Sequence, residues 1–209
     1  MFESSLARLV DAALGDGAAG HLVRRTVDRV REPGWSNSLS AKLLQLAGPG
    51  VPDVYQGSEL WETSLVDPDN RRDVDFTERR RLLADLDDGW LPPVDETGAA
   101  KLLVTSRVLR ARRDHPEWFS RYLPVSGFGP AASHLVAFDR GGAIAIATRL
   151  PIGLAREGGW KGTTLLTTGE PLIDLITGAR HRQRELAVAD VLSRYPVALL
   201  ARVDEGDDR

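Results

Sequence analysis

The sequence predicts an α+β chain in which a helical first part gives way to an antiparallel, β-rich second part. Three observations predict it. Apolar residues recur at helical spacing through residues 2–46 and again through 101–113. A short apolar run, Val51 to Tyr55, stands between turn formers as a buried strand does. Beyond His115-Pro116 the apolar residues fall into short runs separated by glycine-rich turns.

Taken in order, Phe2, Leu6, Leu9, Val10 and Ala13 give a first helix with one apolar face, broken between Gly15 and Gly20. Leu22, Val23, Val27 and Val30 repeat the pattern until Pro33, which is expected to end a second helix. Ser38 can then cap a third, carrying Leu39, Leu43, Leu44 and Leu46 and stopped by Gly48-Pro49-Gly50. Thr77 can cap the next helix, through Leu82, Leu83 and Leu86, with Glu78 in its first turn. Residues 87–98, rich in proline and acid, read as a surface connection.

Lys101 to Arg113 forms an amphipathic helix with Leu102, Leu103 and Leu109 turned inward. Arg107, Arg110, Arg112 and Arg113, with the later Arg121, are expected to form a solvated face. Short β-type runs follow at His134 to Phe138, Ala143 to Thr148, Thr163 to Leu166 and Val197 to Leu200, the first two joined by the hairpin loop Asp139-Arg140-Gly141-Gly142. These runs argue for an antiparallel sandwich, with Trp118, Phe119 and Trp160 in its core. The expected organisation is residues 1–114, residues 115–203 and an acidic tail over 204–209.

Composition narrows the function classes. The net charge of −3, from 27 basic and 30 acidic side chains, offers no field to attract a phosphate backbone, so nucleic acid is not an expected partner. There is no cysteine, hence neither disulfide nor thiolate metal site. His21, His115, His134 and His181 lie scattered without metal-ligand spacing, so no metal and no cofactor is expected. No run of about 18 apolar residues occurs, and the first residues lack a basic start followed by an apolar stretch; a cytoplasmic chain with no membrane partner is expected. Phosphate-binding and nucleophile-elbow motifs are missing as well.

The densest chemistry lies in residues 49–76. The apolar run bounded by Gly50 and Gly57 opens into a loop carrying Glu59, Asp67, Asp69, Asn70, Arg71 and Arg72 beside Tyr55 and Trp61. A barrel strand delivers binding groups to a site at its C-terminal end in this way. Val51-Pro52-Asp53-Val54-Tyr55-Gln56-Gly57-Ser58-Glu59 resembles the eighth-strand motif of the α-amylase superfamily, glycoside hydrolase family 13. The string Val66-Asp67-Pro68-Asp69-Asn70-Arg71-Arg72, with Asn37-Ser38-Leu39-Ser40 upstream, narrows the resemblance to the malto-oligosyltrehalose synthases. Asp73 stands where that family is expected to carry proline.

The resemblance implies the C-terminal part of a (β/α)8 barrel, its last strand near 51–55 and substrate loop at 56–76, followed by the β-sandwich. It also implies an isomerase of trehalose biosynthesis that turns the reducing-end α-1,4 link of a maltooligosaccharide into an α,α-1,1 link by intramolecular transglucosylation. Such chemistry needs a carboxylate nucleophile, a carboxylic acid and a third acid on the distorted sugar. By the resemblance all three follow earlier barrel strands, so no catalytic residue is expected here and the isolated chain is expected to be inactive. A complete barrel alone takes about 250 residues, more than this chain's 209, so the missing N-terminal part of the same enzyme is an expected partner.

The same resemblance gives Asp67 and Arg71 the task of holding a glucose unit, with Asn70 beside them and Gln56 at the strand's mouth. A carboxylate accepts from paired hydroxyls while a guanidinium donates to them. Tyr55 and Trp61 can present flat faces to a sugar ring. Glu59 can hold backbone amides or a rim arginine. Two other readings stay open: a non-catalytic glucan-binding module, and another superfamily glucanotransferase or hydrolase. A barrel strand without neighbours exposes edges and apolar surface, so the lone chain is expected to associate or to repack residues 35–60.

Overall fold

The computed structural model describes residues 2–63 and 71–202, and the expected acidic tail at 204–209 lies outside them. The chain divides into two compact units between Trp35 and Ser36. In the first, α1 (Phe2–Leu14) is followed by the opening turns of α2 (Ala18–Ala47). Arg24 ties the connection by donating from Nη1 to the Leu14 carbonyl at 3.0 Å and from Nη2 to that of Gly15 at 3.2 Å. Carbonyls at a helix end otherwise lack partners, and a cation there suits the helix dipole. Gly20 is needed for this crossing, because a Cβ on it would come within 1.9 Å of the Gly15 oxygen. The apolar stripe seen in the sequence is real but uncovered: α1 buries none of its residues, and Leu9 and Leu22 are 67% and 66% exposed.

The expected break at Pro33 does not occur. One helix of 30 residues runs through it, and Ser38, expected as a cap, sits inside that helix. Proline removes one N–H and frees the carbonyl four residues back, here on exposed Arg29, where water can satisfy it. No helix among the described residues is long and apolar enough to cross a membrane.

In the second unit, Leu39, Leu43 and Leu46 of α2 are fully buried against α3 (Phe76–Asp87) and α4 (Ala99–Asp114). The α3 cap is Asp75 rather than Thr77: its carboxylate accepts from the Thr77 and Glu78 amides at 2.9 and 3.0 Å. An aspartate one position before the first helical residue competes better for those amides than a threonine already inside the helix. In α4 the buried stripe runs through Ala100, Leu103, Val104, Val108 and Ala111; Leu109, expected inside, lies off it and is 39% exposed.

Arg113 and Arg121 are exposed as expected, whereas the other arginines of α4 are partly buried and tied to the neighbouring elements. Arg112 donates to the carbonyls of Leu46, Gly48 and Gly50 at 2.9, 3.2 and 2.7 Å, Arg107 donates to that of Leu86, and Arg110 pairs with Asp87. The planar guanidinium fork lets one side chain close several backbone groups.

Residues 51–55, expected as a strand, have no ladder partner among the described residues and run as irregular chain. A strand is made by its neighbours, and the flanking staves a parallel strand needs are not found among those residues.

Among the described residues nine strands follow. They are β1 (Leu123–Pro124), β2 (Gly127–Phe128), β3 (Leu135–Asp139), β4 (Ala143–Thr148), β5 (Thr164–Leu166), β6 (Leu172–Asp174), β7 (Arg180–His181), β8 (Glu185–Ala187) and β9 (Val197–Arg202), with short helices α5 (Pro151–Arg156) and α6 (Val188–Val191) among them. All pairs are antiparallel, in a six-stranded sheet of order β1-β3-β4-β9-β6-β7 and a three-stranded sheet of order β2-β5-β8. The four expected runs match β3, β4, β5 and β9 to within one or two residues, and Arg140-Gly141-Gly142 closes the β3–β4 hairpin.

Alternation along β4 and β9 divides two cores. Ala143, Ala145, Ala147, Val197 and Leu199 face the helices, where they join Leu39, Leu103 and Phe119. Ile146, Ala198 and Leu200 face the other way, toward Leu165 and Leu186 of the smaller sheet. The helices and the larger sheet thus share one core across residue 115.

Leu103→Ala should cost about 2–5 kcal/mol in urea unfolding, since a fully buried leucine leaves a cavity. Leu109→Ala should change stability by less than about 0.5 kcal/mol, because its side chain lies outside that stripe.

Candidate functional site

The C-terminus of α2, the irregular stretch after it and the N-terminus of α3 surround a cavity of about 530 Å³. Gly48 ends α2 by donating its N–H to the Leu44 carbonyl at 3.0 Å. From there the chain passes through Asp53, whose carbonyl accepts from the Gln45 amide, to a tight turn in which the Ser58 amide and hydroxyl both donate to the Tyr55 carbonyl. Gly57 turns with φ +88, and a Cβ there would meet Val74 at 3.0 Å, so the turn requires glycine.

Three cations hold this stretch to the helices. Arg79, on the first turn of α3, donates to the Gly57 carbonyl at 2.7 Å and the Asp75 carbonyl at 3.0 Å, and pairs with Glu59 at 3.0 Å. Lys101 of α4 donates to the Leu60 carbonyl at 2.9 Å and lies 5.9 Å from the centre of a Trp61 ring. Arg112 secures the turn at Gly48 and Gly50. Trp61 is fixed at both ends: its indole N–H donates to the Asp95 carbonyl at 2.6 Å, and a Cβ on Gly98 would touch its backbone nitrogen at 2.7 Å.

Of the residues proposed from sequence, Tyr55, Gln56 and Trp61 line the cavity, and Tyr55 is 56% exposed. Glu59 turns instead to Arg79 as a rim brace. Arg71 sits exposed at the close of the loop, while Asp67 and Asn70 lie outside the described residues.

Arg72, singled out in the loop by the sequence, lines the cavity too, while sequence reasoning missed Lys42, Gln45, Asp53, Asp73, Asp75 and Arg79, which also line it. Lys42 did leave a signal: a lysine beside Leu43, within the stripe Leu39, Leu43, Leu46, must be carried inward by its neighbours. It donates to the Gln45 side chain at 2.8 Å, and burial holds its ammonium below the ordinary lysine range, with the Glu59 charge pulling the other way. Lys101 is pushed down to about 8, first by burial and next by Lys42, against the pull of Glu62 and Glu59. Among the described residues no group of three or more histidines and carboxylates is placed to hold a metal ion.

The held Trp61, the exposed Tyr55, a side-chain amide and opposed charges surround one open cavity, a lining that mixes apolar faces with hydrogen-bonding groups. On a scaffold of helices and antiparallel sheet, this is an open polar cavity with aromatic residues in its wall.

Comparison with known proteins narrows the class. No protein-family model matches the chain. It is 41% identical over 204 residues to proteins described as putative maltooligosyl trehalose synthase from two strains of Mycobacterium tuberculosis, covering 96% of this chain. The chain spans about a quarter of the length of these curated relatives. The solved maltooligosyltrehalose synthase of Arthrobacter ramosus superposes with a TM-score of 0.91 at 54% identity, over 97% of this chain and 27% of that one. A structure described as DSM5389 glycosyltrehalose synthase shares the fold at a TM-score of 0.74 and 23% identity, over 96% of this chain and 25% of its own. The chain is thus homologous, over nearly all of its length, to the C-terminal part of the maltooligosyl trehalose synthases.

Lys101 gives a pH signature. It releases its proton at about 8 in the folded chain and near the ordinary value of 10.5 when unfolded, so the unfolded chain binds more protons between those values and stability rises with pH across that window. In Lys101→Met this rise should vanish. Comparing urea midpoints of the two proteins at about pH 7 and about pH 9.5 measures it, with the parent chain gaining on the variant at the higher pH.

Proposed function

We propose that this chain supplies one wall of the substrate cleft of a maltooligosyl trehalose synthase. That enzyme would act on maltooligosaccharides in the cytoplasm and convert their reducing-end α-1,4 link to an α,α-1,1 link. The observation that carries the reading is a built cavity, lined by Tyr55, Gln56 and Trp61, inside a chain 54% identical to a solved synthase. The named relatives are trehalose-forming synthases, which does not favour a stand-alone glucan module or another superfamily enzyme.

In this reading residues 51–55 are the eighth stave of a (β/α)8 barrel of the glycoside hydrolase family 13 type. Residues 56–76 form the substrate loop, residues up to 114 the closing helices, and the two sheets of 115–203 a terminal sandwich. Asp67 and Arg71 grip a glucose unit, assisted by Asn70, while Tyr55 and Trp61 offer ring faces to the sugar. Arg79 and Glu59 act together as the brace that keeps the loop's first turn in place.

The nucleophile and the acid belong to the three quarters of the relatives' length without a counterpart here, and that portion is the partner. The uncovered stripe of α1 and α2, with Leu9 and Leu22 two-thirds exposed, is the kind of surface such a portion would cover. In the assembled enzyme a closed pocket would hold the released sugar while it turns to attack the glucosyl intermediate, in preference to water.

The purified 209-residue chain should therefore form no trehalosyl product from maltopentaose. In a synthase carrying this chain with its barrel, Asp67→Ala and Arg71→Ala should each lower kcat/KM about 10- to 100-fold, the loss expected for a charged hydrogen-bonding group. Product formation by the chain alone, or unchanged kinetics in both variants, overturns the reading.

A further inference from the structure

At the far end of α3 from Arg79 the chain presents a second, separate surface. Asp85 lies in the last turn of the helix, Asp88 caps it, and Gly89 turns with φ +95 into Trp90. The backbone here is pinned: the Asp88 N–H donates to the Ala84 carbonyl at 3.0 Å, that of Gly89 to Leu86 at 3.2 Å and that of Trp90 to Asp85 at 3.0 Å. Trp90 is nonetheless 39% exposed, where the other described tryptophans of this unit, Trp61, Trp118 and Trp160, pack against the two cores. With Asp85, Asp88 and Gly89 its ring lines an open groove of about 520 Å³ that shares no residue with the larger cavity.

We propose that this groove is an accessory α-glucan subsite in which a glucose ring stacks on Trp90 and its hydroxyls donate to Asp88 and Asp85. The proposal rests on the reading of the chain as part of a glucan-acting enzyme. A pyranose has an apolar face of C–H groups and an edge of hydroxyls, so it fits an exposed indole bordered by carboxylates. A protein partner would call for a wider apolar patch, whereas here the exposed ring is flanked by charged groups.

Pre-organisation favours it too. The backbone that carries the indole is held by three hydrogen bonds, and Asp85 already pairs with Arg81 at 3.0 Å, so little backbone ordering is needed on binding. Arg79 and the end of α3 at Asp87 are eight positions apart, about 12 Å at the helical rise, and Trp90 lies beyond that end, so the groove would engage a segment of the glucan distinct from the one in the main cavity.

The test uses the full chain titrated with maltoheptaose, and with the β-linked cellohexaose as control, followed through its indole N–H resonances. The Trp90 signal should shift with maltoheptaose and not with cellohexaose. Trp90→Ala should lose at least tenfold in affinity, and Asp88→Asn several-fold, both at unchanged melting temperature. A Trp90 signal that stays still while that of Trp61 moves overturns the subsite and leaves the synthase reading intact. Stillness of every indole, or retained affinity in Trp90→Ala, also overturns the subsite, while the synthase reading continues to rest on the Asp67 and Arg71 kinetics.

Discussion

Burial of β4 and β9 on both faces is the constraint on which the second unit depends. A sheet with one wet face tolerates polar residues at alternate positions; these two strands cannot. β4 reads Ala-Ile-Ala-Ile-Ala-Thr and β9 Val-Ala-Leu-Leu-Ala-Arg, apolar at every interior position. The small residues are not interchangeable with the large ones. Ala143, Ala145 and Ala147 line the helix-facing side of β4, where their size lets the leucines of α2 and α4 come close, while Ile146 fills the gap toward the smaller sheet. Two cores are thereby coupled through a shared pair of strands, and a volume change on one face is felt on the other.

The site sits at the edge of that packed body, and cations aimed at carbonyl oxygens hold it there. Arg79, Lys101 and Arg112 each reach backbone oxygens in the stretch from Leu46 to Leu60, where no ladder satisfies them. Irregular chain beside a cavity leaves polar groups that need partners, and long cationic side chains on rigid helices supply them without demanding a fixed strand. The cost is electrostatic. Lys42 and Lys101 are both buried, and each is held below its ordinary proton affinity, with Glu59 and Glu62 as the opposing charges.

What could be read from the sequence follows the range of the interactions involved. β3, β4 and β9 were legible because their burial is written as continuous apolar runs, and the helices because an apolar stripe needs only local spacing. The two- and three-residue strands β1, β2, β6, β7 and β8 were not, since two or three residues are too short to show an alternating pattern. Pro33 misled for a related reason: a local helix breaker was tolerated on an exposed face. At the site, Tyr55, Gln56 and Trp61 were found because a motif marks them. Lys42 and Arg79 were missed because their roles depend on where α2 and α3 end relative to each other. Glu59 was placed near the right partner type, an arginine, but which arginine is a matter of the fold.

The position of β9 in the larger sheet carries a consequence for biosynthesis. It lies between β4 and β6, yet it is the last of the described strands to leave the ribosome. Until it emerges, two half-sheets wait with open edges, each able to pair with a stranger. Docking of the nascent helices onto Val197 and Leu199 is likewise deferred. The chain can form its hairpin early but closes its central layer only after translation of that strand, so both half-sheets stay vulnerable until then.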